Sequence, residues 1–280
     1  MKTDRREFLK ITGVGIVTTT FPNALTVSNI HPKLADSKFS FKLGIASYSF
    51  RKFSLADALK MTKRLDIDNI SLKDFHLKLN ASDTEIAEAV QICKEAGVKL
   101  YGGGVIYMNT KEDVDKAFEY ARKAGMEIII GVPTHELLPY VEEKVQKYNI
   151  KLAIHNHGPG DKRYPSAESA YEKIKGMDSR MGLCIDIGHT ARINRDPSLD
   201  IKKYFDRVFD IHIKDVTQNN EKGSTCEIGR GIINIPKFLA EVIKLKYTGV
   251  LALEFEKDAD DPLPGMAESI GYIKGVLAAL

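Results

Sequence analysis

Two histidines, His155 and His157, stand two residues apart at the end of the apolar run Leu152-Ala153-Ile154, and Gly158-Pro159-Gly160 follows them. In a strand, residues two apart share a face, so both imidazoles would aim into one space at a strand mouth. The other reading is a pair of surface histidines on a loop, and their neighbours must decide. Asp186 lies within Cys184-Ile185-Asp186-Ile187, where an ionised carboxylate is costly unless paired or metal-bound. Glu254, in Leu251-Ala252-Leu253-Glu254-Phe255-Glu256, meets the same constraint, and Glu256 shares its face. Asp210, His212 and Lys214 also alternate at the strand period. Imidazoles and carboxylates converging from different strands suit one divalent transition metal, such as Mn, Co, Zn, Ni or Fe. A competing reading makes Asp186 and Glu254 a buried salt bridge to Lys214.

These residues converge only if the elements that carry them do. From Phe41, strand-like runs alternate with helix-periodic ones. The expected strands are 41–50, 68–73, 99–107, 127–132, 151–158, 182–189, 208–216 and 249–256. Helices are expected from about Ser54, after Ala81, over 112–123, 135–148, 167–175, 199–205 and 236–245, and from Gly265 onward. Ser54 is a plausible N-cap, Ser82 and Glu85 have capping-box spacing, and Gly97 and Gly125 are helix stops. Eight such β-then-α units imply a parallel sheet, which at this length closes as a single-domain (β/α)8 TIM barrel. An open doubly wound sheet is the alternative, but no G-x-G-x-x-G follows the first strand. In a barrel, chemistry sits at the C-terminal strand ends. His76 follows strand two, His135 follows strand four, His155 and His157 end strand five, His189 ends strand six and His212 lies in strand seven. Of the seven histidines, only His31 lies before the barrel.

Net charge is +3 from 41 basic and 38 acidic residues, with no basic block beyond the N-terminus, so a nucleic-acid partner is not expected. The 3 cysteines are scattered and form neither a disulfide framework nor a CxxC metal site. Arg5-Arg6-Glu7-Phe8-Leu9-Lys10 and the weakly apolar run behind it resemble the twin-arginine export signal. An amphipathic N-terminal helix is the alternative. The signal and linker would occupy 1–37, the barrel 38–280, and the mature protein would be periplasmic, or membrane-anchored if the signal is retained. The run is too short and polar for a good transmembrane span, so no stable membrane insertion of the mature chain is expected.

Ile185-Asp186-Ile187-Gly188-His189, Ile211-His212-Ile213-Lys214-Asp215 and Glu254, in that order, resemble the xylose isomerase-like TIM barrels of sugar isomerases, epimerases and endonuclease IV. The resemblance runs from about Phe41 to Leu280. It implies a metal shell of Asp186, His212 and Glu254, joined here by His155, and a carbohydrate substrate contacted by His189, Arg230 and Glu256. Arg230 could equally be a solvated loop charge. Lys73 and His76 would reach the same rim. Ketose 3-epimerases of this type end strand five in a glutamate that pairs with the late one for proton transfer; here that position is His155. What remains is proton abstraction beside a carbonyl, with Glu254, His157 or Lys214 moving the proton. The outcome would be isomerisation or epimerisation, or β-elimination as in the 3-keto-glycoside lyases on such barrels. Two further classes are a DNA-repair endonuclease, which needs more zinc ligands and a basic surface, and a non-catalytic sugar-binding protein, which has no need of the Asp186-His212-Glu254 set.

Overall fold

The computed structural model describes residues 39–280. The export-signal reading falls on residues outside those described. Eight parallel strands close into a barrel: β1 (Lys42–Ala46), β2 (Asn69–Leu72), β3 (Lys99–Met108), β4 (Ile128–Pro133), β5 (Lys151–His155), β6 (Met181–Asp186), β7 (Val208–Ile213) and, after a two-stranded hairpin of β8 (Asp215–Val216) and β9 (Thr225–Cys226), β10 (Val250–Leu253). β1 pairs with both β10 and β2, so the sheet has no edge and the open alternative is excluded. The strands bury both faces, as the uninterrupted Ile128-Ile129-Ile130-Gly131-Val132 illustrates, which is why they read as apolar runs.

Helices α1 (Leu55–Arg64), α2 (Asp83–Glu95), α3 (Lys111–Lys123), α4 (Leu138–Tyr148), α5 (Ala167–Ile174), α6 (Ile187–Arg192), α7 (Pro197–Lys203), α8 (Ile235–Lys244) and α9 (Leu263–Ala279) follow the strands. The Ser54 cap and the Ser82–Glu85 capping box form as the sequence predicts. Gly97 and Gly125 both adopt φ +65° past their helices. The main core packs between the barrel's outer surface and the helices, and Ile45, Ile129, Phe118, Val141 and Phe238 in it are fully buried.

Several boundaries differ from the sequence expectation, most of them at the C-terminal rim. β5 stops at His155, so His157 lies beyond the strand, and β10 stops at Leu253, so Glu254 and Glu256 lie beyond theirs. The first strand stops at Ala46 and continues as a 3-10 turn, Ser47–Phe50. A 3-10 turn, His135–Leu137, precedes α4. The sixth strand stops at Asp186, because the Asp186 carboxylate accepts from the His189 backbone N–H and caps α6; His189 therefore sits on a helix rather than ending a strand. The seventh strand stops at Ile213, and Asp215–Val216 turns away to pair antiparallel with Thr225–Cys226. No helix among the described residues is long and apolar enough to cross a membrane.

Candidate active site at the barrel mouth

Neighbouring strands deliver the central residues. The parallel registers set His155 beside Cys184 and Asp186 beside His212, and the Glu254 N–H donates to the Ile213 carbonyl. His155 Nε2 lies 3.1 Å from His212 Nδ1 and 3.6 Å from Asp186 Oδ2, and His212 Nδ1 lies 3.3 Å from Glu254 Oε2. All four donor atoms fall within 4.8 Å of one another, and all four residues are buried. An ion about 2.0–2.2 Å from each donor holds neighbouring donors roughly 3.0–3.6 Å apart. The observed separations match, and Asp186 Oδ2 has no hydrogen-bond partner. The residues present therefore fit a divalent ion. Cys184 also lies close to the two imidazoles, but burial, with the Asp210 and Asp186 charges, holds its thiol protonated, which disfavours ligation.

Lys214 enters the same cluster. Its ammonium lies 2.9 Å from Glu254 Oε2, 3.0 Å from Asp186 Oδ2 and 3.2 Å from Glu256 Oε1. The Asp186 approach is an ion pair outside hydrogen-bond geometry; the Glu254 contact is a hydrogen bond. The ion pairs leave the metal reading open, since a carboxylate oxygen with two lone pairs can face an ammonium and a metal together. The Lys214 stem runs over Gly188, where a Cβ would come within 2.8 Å of its Cγ and Cδ. At Gly158, φ +76° and a 2.9 Å approach of a Cβ to the His189 carbonyl explain the glycine after the histidine pair.

Burial pushes His155 and His189 each down to about 4, and it also lowers His157. Burial opposes the charge on His212 too, but the Glu254, Asp210 and Asp186 carboxylates outweigh it and raise His212 to about 9. Against burial, the Lys214 ammonium holds Asp186 and Glu254 well below the usual carboxylate range. Those carboxylates in turn keep Lys214 charged.

The other expected site residues divide. His157 meets His155 edge-on, 4.6 Å from ring centre to ring centre, and its Nε2 lies 3.0 Å from the Tyr107 hydroxyl. His157, His189, Lys73, Glu254 and Glu256 line one chamber of about 220 Å³ with Tyr48 and Tyr107. His76 is not brought there. Its Nδ1 meets the Ser47 hydroxyl at 2.9 Å and its Nε2 the Phe53 carbonyl at 3.1 Å, so both ring nitrogens are committed to the fold. Arg230 is not brought there either; it forms an ion pair with Glu268 at 2.5 Å. Its loop is held by Asp215, whose carboxylate accepts from the Gly229, Gly231 and Ile233 N–H groups. His135 Nε2 bonds the Arg163 carbonyl, outside the cluster.

The sequence assigns Asn156 no role and does not single out Tyr107. Asn156 receives the Asp186 N–H at 3.0 Å and donates to the Asp186 carbonyl at 3.2 Å, clamping that peptide from the adjacent strand. Only its place inside the histidine pair could have flagged it. Tyr107, half exposed at the end of β3, had the signal of a strand-end aromatic. A larger cavity, about 880 Å³, opens at the opposite barrel face among strand starts such as Lys42, Lys99 and Lys151, away from the histidines.

A closed (β/α)8 barrel with an imidazole–carboxylate cluster at its mouth defines the class. The chain belongs to the xylose isomerase-like TIM barrel family, whose model matches residues 54–276. Over 129 residues it is 28% identical to the inosose dehydratase of Salmonella typhimurium strain LT2; that match covers 40% of this chain and 42% of the dehydratase, less than half of either. Among solved structures, an uncharacterised protein from Parabacteroides distasonis ATCC 8503 superposes with a TM-score of 0.68 at 27% identity, over 84% of this chain and 99% of that one. The D-psicose 3-epimerase of Clostridium cellulolyticum H10 shares the fold with a TM-score of 0.68 at 13% identity, over 85% of this chain and 99% of that one.

Proposed function

We propose that this protein is a metal-dependent carbohydrate enzyme that removes a proton beside the carbonyl of a keto-sugar and then eliminates a group from the neighbouring carbon. The observation that carries this reading is His155, a buried imidazole 3.1 Å from His212 at the strand-five position where a symmetric proton exchange needs a carboxylate. The partial likeness to a dehydratase supports elimination. A divalent metal held by His155, Asp186, His212 and Glu254 would supply electrostatic stabilisation for negative charge developing on a substrate oxygen.

The chain's own residues carry the rest. His157, kept neutral by burial, accepts the proton, and the Tyr107 hydroxyl links its Nε2 to the open mouth. The C–H bonding pair becomes the new double bond, and the leaving group departs with its own bonding pair. Lys214, held as an ammonium by its carboxylates, acts as a fixed positive charge rather than as a base. Glu256 and Lys73 orient substrate hydroxyls at the chamber wall. Isomerisation or epimerisation is the second reading. It is favoured by Glu254, an ionised carboxylate on the chamber wall that could exchange a proton itself. The resemblance of Arg5-Arg6-Glu7-Phe8-Leu9-Lys10 to a twin-arginine signal supports a periplasmic site of action.

A 3-keto-glucoside and a free ketose, each incubated in deuterated water and followed by NMR, test the chemistry. Aglycone release supports elimination, and deuterium exchange without release supports epimerisation. With neither, the chain is a binder. Elemental analysis of protein purified without chelator should find about one transition metal per chain, lost in Asp186→Ala. Full activity of metal-free protein would end the metal reading.

A further inference from the structure

A second chamber of about 440 Å³ adjoins the first and shares His189 and Glu256 with it. Of the metal-ligand candidates, His155 and Glu254 line the smaller chamber; the larger one is lined by Lys214. Its far wall is the β8–β9 hairpin, which contributes Val216, Gly223, Ser224 and Thr225. Two cations that line this chamber from other elements differ in kind. Lys257 is neutralised, 2.6 Å from Glu227 and 3.3 Å from Asp258. Arg192 has no carboxylate partner among the described residues. Its Nη2 donates to the Glu221 carbonyl at 2.9 Å and its Nη1 lies 3.3 Å from His189 Nδ1. Its Nε is buried and makes no hydrogen bond.

That nitrogen is enclosed and closed to a ligand, so recognition falls to the rest of the guanidinium, a planar donor array suited to carboxylates on a residue that lines the chamber. Two of its nitrogens are tied to backbone and ring, so Arg192 is preset, with little side-chain freedom left to lose on binding. From this geometry we infer that the larger chamber is a subsite for a second part of the substrate, and that Arg192 selects a leaving group carrying a carboxylate. The inference rests on the keto-sugar reading of the smaller chamber and adds the class of substrate: a glycoside of an acidic aglycone or acidic second sugar. The ring to be deprotonated lies over the cluster, and the acidic part reaches past His189 to the hairpin.

Binding tests this without requiring turnover. The full chain is titrated calorimetrically with 4-carboxyphenyl β-glucoside, its uncharged 4-carbamoyl counterpart, and glucose. The carboxylate should bind about tenfold more tightly than the amide, the worth of one charge-assisted hydrogen bond. Arg192→Gln should bring that ratio near one. Arg192→Lys, which keeps the charge but loses the fork, should fall between, and it carries the test if the glutamine variant does not fold. Equal binding of the two glycosides by the wild type, or an unchanged ratio in both variants, overturns the subsite. The 3-keto forms of the same glycosides separate the two ideas. Preference without turnover sinks the keto-sugar chemistry and keeps the subsite, whereas turnover without preference does the reverse.

Discussion

Two sets of histidines stand at strand ends of this barrel, alike in sequence and unlike in structure. His76 and His135 spend ring nitrogens on the fold: His76 bonds Ser47 and Phe53, and His135 bonds the Arg163 carbonyl. His155 and His212 turn nitrogens toward each other and toward two carboxylates, while His157 and His189 face the adjoining chamber. A strand-end position therefore makes a histidine available to a site without committing it to one. Commitment depends on whether the fold supplies the ring with other partners first.

The largest expected effect lies in the converging set. Lys214→Met leaves Asp186 and Glu254 buried without their ammonium, which should cost about 3–5 kcal/mol of stability. Urea denaturation with and without chelator measures it. The deficit should narrow when a divalent metal is in excess, because the ion then neutralises the same carboxylates; an equal deficit in both conditions would place the metal elsewhere. Next, His157→Ala should lower kcat on a turned-over keto-sugar roughly 100-fold with the fold intact, as loss of a general base does. A change confined to KM would reduce His157 to a binding residue and blur the contrast.

The satisfied set should respond in stability alone. His76→Ala strips the Phe53 carbonyl of its His76 partner and leaves the Ser47 hydroxyl with the Lys73 N–H alone, which should cost about 1–3 kcal/mol, with kcat unchanged. Its pH dependence has a definite sign. Burial lowers the folded His76 pKa below the ordinary 6.5, so between the two values the unfolded chain holds the extra proton. The stability His76 contributes is full above pH 6.5 and declines as pH falls toward the folded value. The penalty of His76→Ala should therefore shrink on acidification, as denaturation midpoints at pH 7.5 and 5.5 would reveal. A penalty that grows would contradict the buried neutral ring. Smallest is Arg230→Ala, which breaks an exposed pair with Glu268 and should leave both the unfolding midpoint and kcat where they were. A large loss of kcat would return Arg230 to the site.

Much of the frame was legible because its signals are local. Ser54, Ser82 with Glu85, and the glycines after α2 and α3 act within a turn of their own positions. The strands announced themselves as apolar runs. Errors gathered at the C-terminal rim, where local pattern and tertiary demand diverge. Ile185-Asp186-Ile187-Gly188-His189 alternates like a strand, yet the Asp186 carboxylate caps a helix there, and the alternation conceals the switch. Arg230 resembled a sugar-contacting arginine by order in the chain. Asp215, by gathering three N–H groups of its loop, leaves it paired with Glu268 instead.

The sequence by itself determined the eight β-then-α units and the residue types that reach the mouth, because periodicity, capping and burial preference depend on near neighbours in the chain; the family followed from the resemblance of its ordered motifs. Only the tertiary structure decided which histidines meet, that Asn156 clamps Asp186, that Lys214 pairs with carboxylates among the candidate metal ligands, and that Arg192 lines a second chamber without an acid partner among the described residues. Those outcomes depend on distances between groups far apart in the chain, such as Asn156 and Asp186, 30 residues apart. Barrel closure and strand register set such distances, and no local pattern encodes them.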